Sequence, residues 1–228
     1  MGLFRKNTML RRTLLTAAAS AALALSFSTS AFAFAEGTDY VVLDKPLPNA
    51  EKTLTKVWSY DCPFCFKYDI GVDPRVLPQI EEKTGLKFVP VHLETKGKFG
   101  RTASEYLAMC QLKDEAAGLK STDKDSLYKK AKGAWYQAYH KKGERWVEGE
   151  AAFVKTASDA TGIAAADFEK DRKDPAVIAL ADSWKVTYDV AKIQGIPAYV
   201  VNGKYLIMTR SIRNFDGMVK LVEELAAK

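Results

Sequence analysis

Cysteine is scarce in this chain, with three among 228 residues, at positions 62, 65 and 110. An odd count, with two of the three in one Cys-x-x-Cys, excludes the multiple disulfides that hold small secreted scaffolds together. Cys110 is left without an intramolecular partner. It lies in a stretch with helical apolar spacing, where a free cysteine commonly behaves as a small buried hydrophobic residue. We therefore interpret Cys110 as an inert core thiol rather than a redox or intermolecular partner.

The chain also has little net charge outside its N-terminal segment. The chain has 34 basic and 28 acidic residues, a net charge of +6, but residues 1–35 hold four of the basic residues and none of the acidic ones. The remaining residues, about 193, carry a net charge of +2. No Lys/Arg block with interleaved aromatics occurs, so nucleic-acid binding is not expected. That length is enough for one well-cored domain or for a domain with a large insertion, and a monomer is expected.

A long apolar run is lacking everywhere except at the N-terminus. Residues 14–27 are mostly apolar, basic residues precede them, and small residues follow in two overlapping A-x-A patterns. The run contains Thr16, Ser20 and Ser26 and is too short to span a bilayer comfortably. This pattern is typical of a cleaved secretory signal peptide, predicted over residues 1–35 with cleavage after Ala33 or Ala35.

The Cys-x-x-Cys pair is the feature that points to chemistry. An apolar, β-prone run ends at Tyr60, and Cys62-Pro63-Phe64-Cys65 follows. Proline is tolerated at the first helical position, so Pro63 predicts that Cys62 is the N-cap of a helix. The positive end of a helix and its unpaired N–H groups favour a thiolate, which is the form that attacks disulfides. The motif therefore predicts a reactive first cysteine.

Strand and helix patterns follow in the order β-β-α-β, a long helical stretch, then β-β-α. The predicted strands are residues 40–43, 54–60, 88–93, 196–201 and 204–209, and the predicted helices are 63–70, 74–83, 104–120, 125–141, 150–160, 176–193 and 214–227. Pro90 has no N–H to donate to a neighbouring strand, so its strand is expected at the edge of the sheet. Asn202-Gly203 predicts a hairpin. Five aromatic residues at helical spacing, Tyr128, Trp135, Tyr136, Tyr139 and Trp146, are interpreted as core rather than as a binding cluster.

This order predicts an α/β protein with a thioredoxin-like fold and a large inserted helical domain. The expected boundaries are 36–99 for the first part of the thioredoxin-like domain, 100–190 for the helical insertion, and 191–228 for the second part.

The motif, the Ile196-Pro197 step before a strand, the hairpin at residues 201–205 and the signal segment together resemble the DsbA family of periplasmic thiol:disulfide oxidases. The likeness spans the whole mature chain. By the family's pattern, Cys62 would be the exposed nucleophile and Cys65 the buried resolving thiol. Pro197 would be a cis-proline facing the pair, and Ile196 would offer backbone hydrogen bonds to a bound peptide.

The resemblance also implies partners and a compartment. A periplasmic dithiol oxidase donates its disulfide to unfolded or reduced exported proteins and is reoxidised by an inner-membrane, quinone-linked partner of the DsbB or DsbI type. The Pro63-Phe64 dipeptide is most similar to the DsbL branch, whose implied client is an arylsulfate sulfotransferase. No cofactor and no metal are expected.

One position departs from the family pattern. Many members carry a buried acid six residues before the first cysteine, where this chain has Lys56. If Lys56 lies near the pair, its charge would lower the pKa of the thiol, whereas Asp61 would act in the opposite direction.

Three alternatives stay open at this point. The cysteines could belong to a structural zinc site with Cys110 and His92 or His140, although these ligands lack paired spacing. The chain could be a non-catalytic peptide-binding or chaperone module, whose function should survive Cys62→Ser. Among enzymes, a disulfide isomerase or a reductase of the same fold is the alternative to an oxidase.

Overall fold

A mixed five-stranded sheet lies at the centre of the chain. A computed structural model describes residues 34–228, and within them the strand order is β1-β5-β4-β2-β3, with only β2 and β3 parallel. The strands are β1 (Tyr40–Val42), β2 (Thr53–Trp58), β3 (Lys87–His92), β4 (Ala198–Val201) and β5 (Tyr205–Ile207). The edge position predicted for the Pro90 strand is confirmed.

Helices cover both faces of this sheet and fill the long stretch between β3 and β4. They are α1 (Pro63–Gly71), α2 (Asp73–Thr84), α3 (Gly100–Ala116), α4 (Leu127–Tyr136), α5 (Glu150–Thr161), α6 (Ala165–Asp171), α7 (Pro175–Ser183), α8 (Thr187–Gln194) and α9 (Phe215–Ala226). Shorter turns are a π-helical turn (Gln137–Lys141) and 3₁₀ turns at Trp184–Val186 and Thr209–Ser211.

The strand β2 is the middle of the sheet and leads directly into the Cys-x-x-Cys helix. It pairs with β3 on one side and with β4 on the other, so that Lys56 lies opposite both Pro90 and Tyr199. Every residue of β2 is buried. A β-rich sequence buried on both faces is what a central strand between helical layers requires.

An aromatic core joins the helical stretch to β2, β3 and α1. Trp135 stacks on Phe153 at 4.5 Å between ring centroids, and the indole N–H of Trp58 donates to the hydroxyl of Tyr128 at 2.6 Å. The buried members of this cluster include all four tryptophans, Trp58, Trp135, Trp146 and Trp184. The prediction that the helical aromatics are core is confirmed, apart from Tyr139, which is partly buried at the edge of the cluster. Cys110 is fully buried in the same cluster, as expected.

On one face of the sheet, Val57 and Val200 pack with Val190 of α8. The other face is covered by α2 and α9. Their buried residues, Val76, Ile80, Met218, Val222 and Leu225, pack against Leu54, Tyr199, Val201 and Ile207 of the sheet. The hairpin between β4 and β5 turns at Asn202 (φ 52°) and Gly203 (φ 67°), positive φ angles that Asn-Gly adopts readily, and the Lys204 amide donates to the Val201 carbonyl at 3.0 Å.

The predicted helix over residues 176–193 is wrong as a single element. The chain forms α7, a 3₁₀ turn at Trp184–Val186, and then α8. The hydroxyl of Thr187 donates to the carbonyl of Trp184 at 2.6 Å, and such side-chain bonds compete with the regular helical pattern. Tyr188, in α8, is exposed.

The predicted signal segment lies outside the described residues except for its last two positions. Among residues 34–228, no helix combines the length and the apolar character needed to cross a bilayer. The predicted fold, a thioredoxin-like sheet with a large helical insertion, is confirmed.

Asp114 of α3 has a buried carboxylate that binds the start of α4, and it offers a test of how these two helices are held together. The carboxylate of Asp114 accepts from the hydroxyl of Ser126 at 2.7 Å and from the amides of Leu127 and Tyr128 at 2.8 and 3.0 Å. We expect Asp114→Ala to lower the free energy of unfolding by about 2 kcal/mol, because it leaves helix-start donors buried without an acceptor. Urea unfolding measures this.

The matched control is Asp159→Ala, which removes an exposed carboxylate paired with Lys155 one helical turn away. Its expected cost is below about 0.5 kcal/mol. Equal losses in the two variants would contradict a capping role for Asp114.

Candidate active site

The sulfur of Cys62 lies at the N-terminus of α1. Cys62 has extended backbone angles (φ −82°, ψ 115°), Pro63 is the first helical residue, and the Cys62 Sγ accepts a hydrogen bond from the Cys65 amide at 3.2 Å. This is the N-cap arrangement predicted from the motif. The amides at the start of a helix have no partners within the helix, so the sulfur occupies an anion-binding position.

Both sulfurs are less accessible than the family pattern suggested. Cys62 is 7% exposed and Cys65 0% exposed, and both are free thiols. The expected order of exposure therefore holds, but the first cysteine is itself largely buried.

The two thiols differ strongly in acidity. The pKa of Cys62 is lowered to about 7, chiefly by a hydrogen bond from the Cys65 side chain; burial opposes this, and the amides of Cys65 and Phe64 add to it. The pKa of Cys65 is raised well above its ordinary value, first by burial and then by the neighbouring Cys62. Asp61 raises the pKa of Cys62, as predicted. Near pH 7 Cys62 is therefore about half ionised, whereas Cys65 stays a thiol.

The loop before β4 faces this sulfur. The Ile196–Pro197 peptide bond is cis, and the Cys62 thiol donates to the Ile196 carbonyl at 3.5 Å. The loop is held by Gln194, whose amide donates to the Ile207 carbonyl at 2.6 Å and accepts from the Thr209 amide at 2.9 Å. The structure thus brings together residues 62 and 196, which the sequence separates by 134 positions.

Lys56 is buried beneath the pair and is itself paired. It is 2% exposed and forms an ion pair with Asp73, which is 5% exposed and also accepts from the hydroxyl of Tyr199. Burial favours the neutral amine, but the charges of Asp73 and Asp69 and the hydrogen bond to Asp73 outweigh it, so the pKa of Lys56 is raised. The charge of Lys56 lowers the pKa of Cys65, opposing the burial that dominates there.

Asp73 and Tyr199 were not identified from the sequence. Neither lies in a motif, and Asp73 is 17 positions from Lys56. A general signal did exist, since a lysine in the middle of a buried strand needs a buried anion. The residue that supplies the anion could not be chosen without the fold.

Phe64 is the apolar surface beside the reactive sulfur. It is 61% exposed, and the Lys67 ammonium lies 5.5 Å from its ring centroid. All the predicted site residues from positions 56 to 65 thus lie on β2 or at the start of α1, and Ile196 and Pro197 face them.

The helical stretch also contacts the site. The Lys132 ammonium pairs with Asp69 on α1, and the His140 Nε2 lies 2.9 Å from the carbonyl oxygen of Tyr60. His140 entered the sequence analysis only as a possible zinc ligand. Within residues 34–228, no group of three or more His, Cys, Asp or Glu side chains is placed to hold a metal ion.

Comparison with known proteins identifies close relatives, although no protein-family model matches the chain. The chain is 55% identical over 224 residues, 97% of each sequence, to the thiol:disulfide interchange protein DsbL of Escherichia coli O6:H1. It is 56% identical to DsbL of Salmonella enterica serovar Typhimurium, whose crystal structure superposes with a TM-score of 0.80 over 86% of this chain and 98% of that one. DsbA of Proteus mirabilis shares the fold, with a TM-score of 0.65 over 86% of this chain and 98% of that one at 19% identity.

The geometry predicts which thiol reacts first. In the reduced protein, brief iodoacetamide treatment should label Cys62 alone, and the rate should rise to a plateau with a midpoint near pH 7, because the pKa of Cys62 is lowered to about 7. Peptide mapping between pH 5 and 9 measures both. Cys65 and Cys110 should react only after unfolding, since both are fully buried. Preferential labelling of either one in the folded protein would overturn the assignment.

Proposed function

This chain belongs to the DsbA family of thiol:disulfide oxidoreductases and, within it, to the DsbL group, and from that premise we propose that its Cys62–Cys65 disulfide oxidises exported client proteins. The observation that carries the proposal is the hydrogen bond from the Cys65 amide to the Cys62 sulfur at the helix start. It stabilises a thiolate, which exists only after the disulfide has opened, and so it favours the transfer of the disulfide to a client.

The reaction proceeds through a mixed disulfide. A client thiolate attacks the Cys62 sulfur, the Cys62–Cys65 bond breaks, and Cys65 leaves and takes up a proton. A second client thiolate then attacks the client sulfur of the mixed disulfide and expels Cys62 as a thiolate. The client loses two electrons and the Cys62–Cys65 pair gains them. A low pKa makes Cys62 a good leaving group in the second step.

The groups around Cys62 have matching roles in this proposal. Pro63 and Phe64 form the first turn of α1, and the exposed ring of Phe64 offers an apolar contact next to the sulfur. The Ile196 carbonyl, 3.5 Å from the Cys62 sulfur, is an acceptor for the backbone amide of a client peptide. Pro197 has no N–H, so the backbone offers no donor at that position of the loop.

Partners and compartment follow from the family. Proteins of this family act on substrate proteins and are reoxidised by a membrane partner, and we propose a quinone-linked reoxidase of the DsbB or DsbI type here. The N-terminal segment, with its basic start and apolar run, fits cleavage after Ala33 or Ala35 and release into the periplasm. The similarity to DsbL supports an arylsulfate sulfotransferase as a client.

We predict that the protein is a strong oxidant whose reduced form is more stable than its oxidised form. Because the pKa of Cys62 is about 7 in the fold against an ordinary value of 9.0, its contribution to the reduced form is fully present above pH 9 and is lost as the pH falls through 7. The melting temperature of the reduced form should therefore rise relative to that of the oxidised form between pH 6 and 8.5.

The reduction potential, measured by equilibration in glutathione buffers, tests the same prediction. We expect a reduction potential closer to about −120 mV, the value of DsbA, than to the value of about −270 mV for the reductant thioredoxin. A potential near that of thioredoxin, or an oxidised form that melts higher, would replace the oxidase with a reductase or an isomerase. Cys62→Ser should abolish client oxidation, and retained function would instead indicate a peptide-binding module.

A further prediction concerns Lys56. Lys56→Met removes the positive charge that lowers the pKa of Cys65, so the apparent pKa of the coupled thiol pair should rise by about 0.5 to 1 unit, followed as thiolate absorbance against pH. The control is the double variant Lys56→Met/Asp73→Asn, which removes both charges and should return the pKa toward that of the unmodified protein. An unchanged or lower pKa in the single variant would show that Lys56 does not act on the thiolate.

A further inference from the structure

We propose that His140 is a positioning residue for the Cys62 thiolate, acting through the hydrogen bond from its Nε2 to the backbone carbonyl of Tyr60. The inference rests on Cys62 being the attacking thiol. Alkylation mapping of the unmodified protein tests that assignment separately and does not depend on His140.

The position of His140 is set by an unusual turn. The helix α4 ends at Tyr136, and the chain continues in the π-helical turn Gln137–Lys141, closed by the bond from the Lys142 amide to the Gln137 carbonyl at 3.1 Å. A π-helical turn holds one residue more than an α-helical turn, and so it changes the direction of the side chains that follow. Here it directs the His140 ring to the start of α1.

His140 contacts the chain on both sides of Cys62. Its Nε2 lies 2.9 Å from the oxygen of Tyr60, two residues before the cysteine. Its ring stacks on Phe66, four residues after the cysteine, at 4.9 Å between centroids and an angle of 4° between planes. The stack fixes the plane of the imidazole, and the fixed plane aims the Nε2 at the carbonyl.

The tautomer follows from the partner. A carbonyl oxygen can only accept, so the hydrogen must be on Nε2 in the neutral ring. The pKa of His140 is lowered, first by burial, although its bond to the Tyr60 carbonyl raises it. Near pH 7 His140 is therefore a neutral donor with one defined tautomer.

The Tyr60 carbonyl matters because it belongs to the turn that presents Cys62. The Cys62 amide donates to the Ser59 carbonyl at 3.2 Å, and the Tyr60 hydroxyl accepts from the Phe99 amide at 2.9 Å. The Tyr60 side chain and the Cys62 amide are thus held by other groups. The Tyr60 carbonyl is held by His140. Loss of the donor frees the turn to rotate, and the Cys65 amide then loses its alignment with the Cys62 sulfur.

Two variants separate the donor from the ring. His140→Phe keeps a flat ring against Phe66 and removes the donor, whereas His140→Gln keeps an N–H donor at a similar reach and removes the ring. The control is Lys142→Gln, an exposed residue directly after the same turn. Each variant is assayed as the full mature protein for the pKa of Cys62, for the equilibrium constant with glutathione, and for unfolding of both redox forms.

We expect His140→Phe to lower the acid dissociation constant of Cys62 and the equilibrium constant for reduction by glutathione by about threefold to tenfold, where tenfold corresponds to about 30 mV. His140→Gln and Lys142→Gln should stay within about twofold of the unmodified protein. A purely structural role would instead destabilise both redox forms equally and leave both constants unchanged. That result, or equal shifts in His140→Phe and His140→Gln, would overturn the proposal.

A measurement on the unmodified protein covers the case in which His140→Phe does not fold. The chain has two histidines, so long-range proton–nitrogen spectra of the histidine-labelled protein are simple to read. The Nε2–H tautomer should be found for His140 between pH 6.5 and 8. A neutral ring protonated on Nδ1 could not donate to Tyr60 and would also overturn the proposal.

Discussion

The hydrogen bond from the Cys65 amide to the Cys62 sulfur is the interaction on which the other features of the site depend. At 3.2 Å it exists only if Cys62 is the N-cap of α1, and Cys62 is the N-cap because Pro63 starts the helix. The strand β2, central and fully buried, fixes where that helix begins. Hydrogen bonds weaken steeply with misalignment. The elements that hold α1 in place therefore also maintain this hydrogen bond.

Those elements come from distant parts of the chain. The loop at Ile196 and Pro197 arrives from the end of the helical stretch, Lys132 and His140 come from its middle, and Asp73 supports Lys56 from α2. The buried Lys56–Asp73 pair needs all its hydrogen bonds to offset desolvation, and Tyr199 supplies one of them. The helical stretch is therefore part of the scaffold of the site as well as a cover for the sheet.

Much of this arrangement could be predicted from local chemistry. Pro63 fixed the N-cap, Pro90 placed β3 at an edge, and Asn202-Gly203 marked the hairpin, because each depends on the backbone of one or two residues. Contacts that depend on tertiary structure gave no such signal. The partner of Lys56, the π-helical turn that contains His140 and the break between α7 and α8 arise from packing that no local pattern encodes. The low exposure of Cys62 likewise results from tertiary packing.

The distribution of tryptophan has a consequence for optical experiments. All four tryptophans lie in the aromatic core between the sheet and the helical stretch, and none lies in the cluster formed with α2 and α9. Intrinsic fluorescence therefore reports the aromatic core rather than the layer formed by α2 and α9. Far-ultraviolet circular dichroism records the helices and strands of both layers. Coincidence of the two unfolding curves would show that the two layers melt as one cooperative unit, and a gap between them would measure the separate stability of the layer without tryptophan.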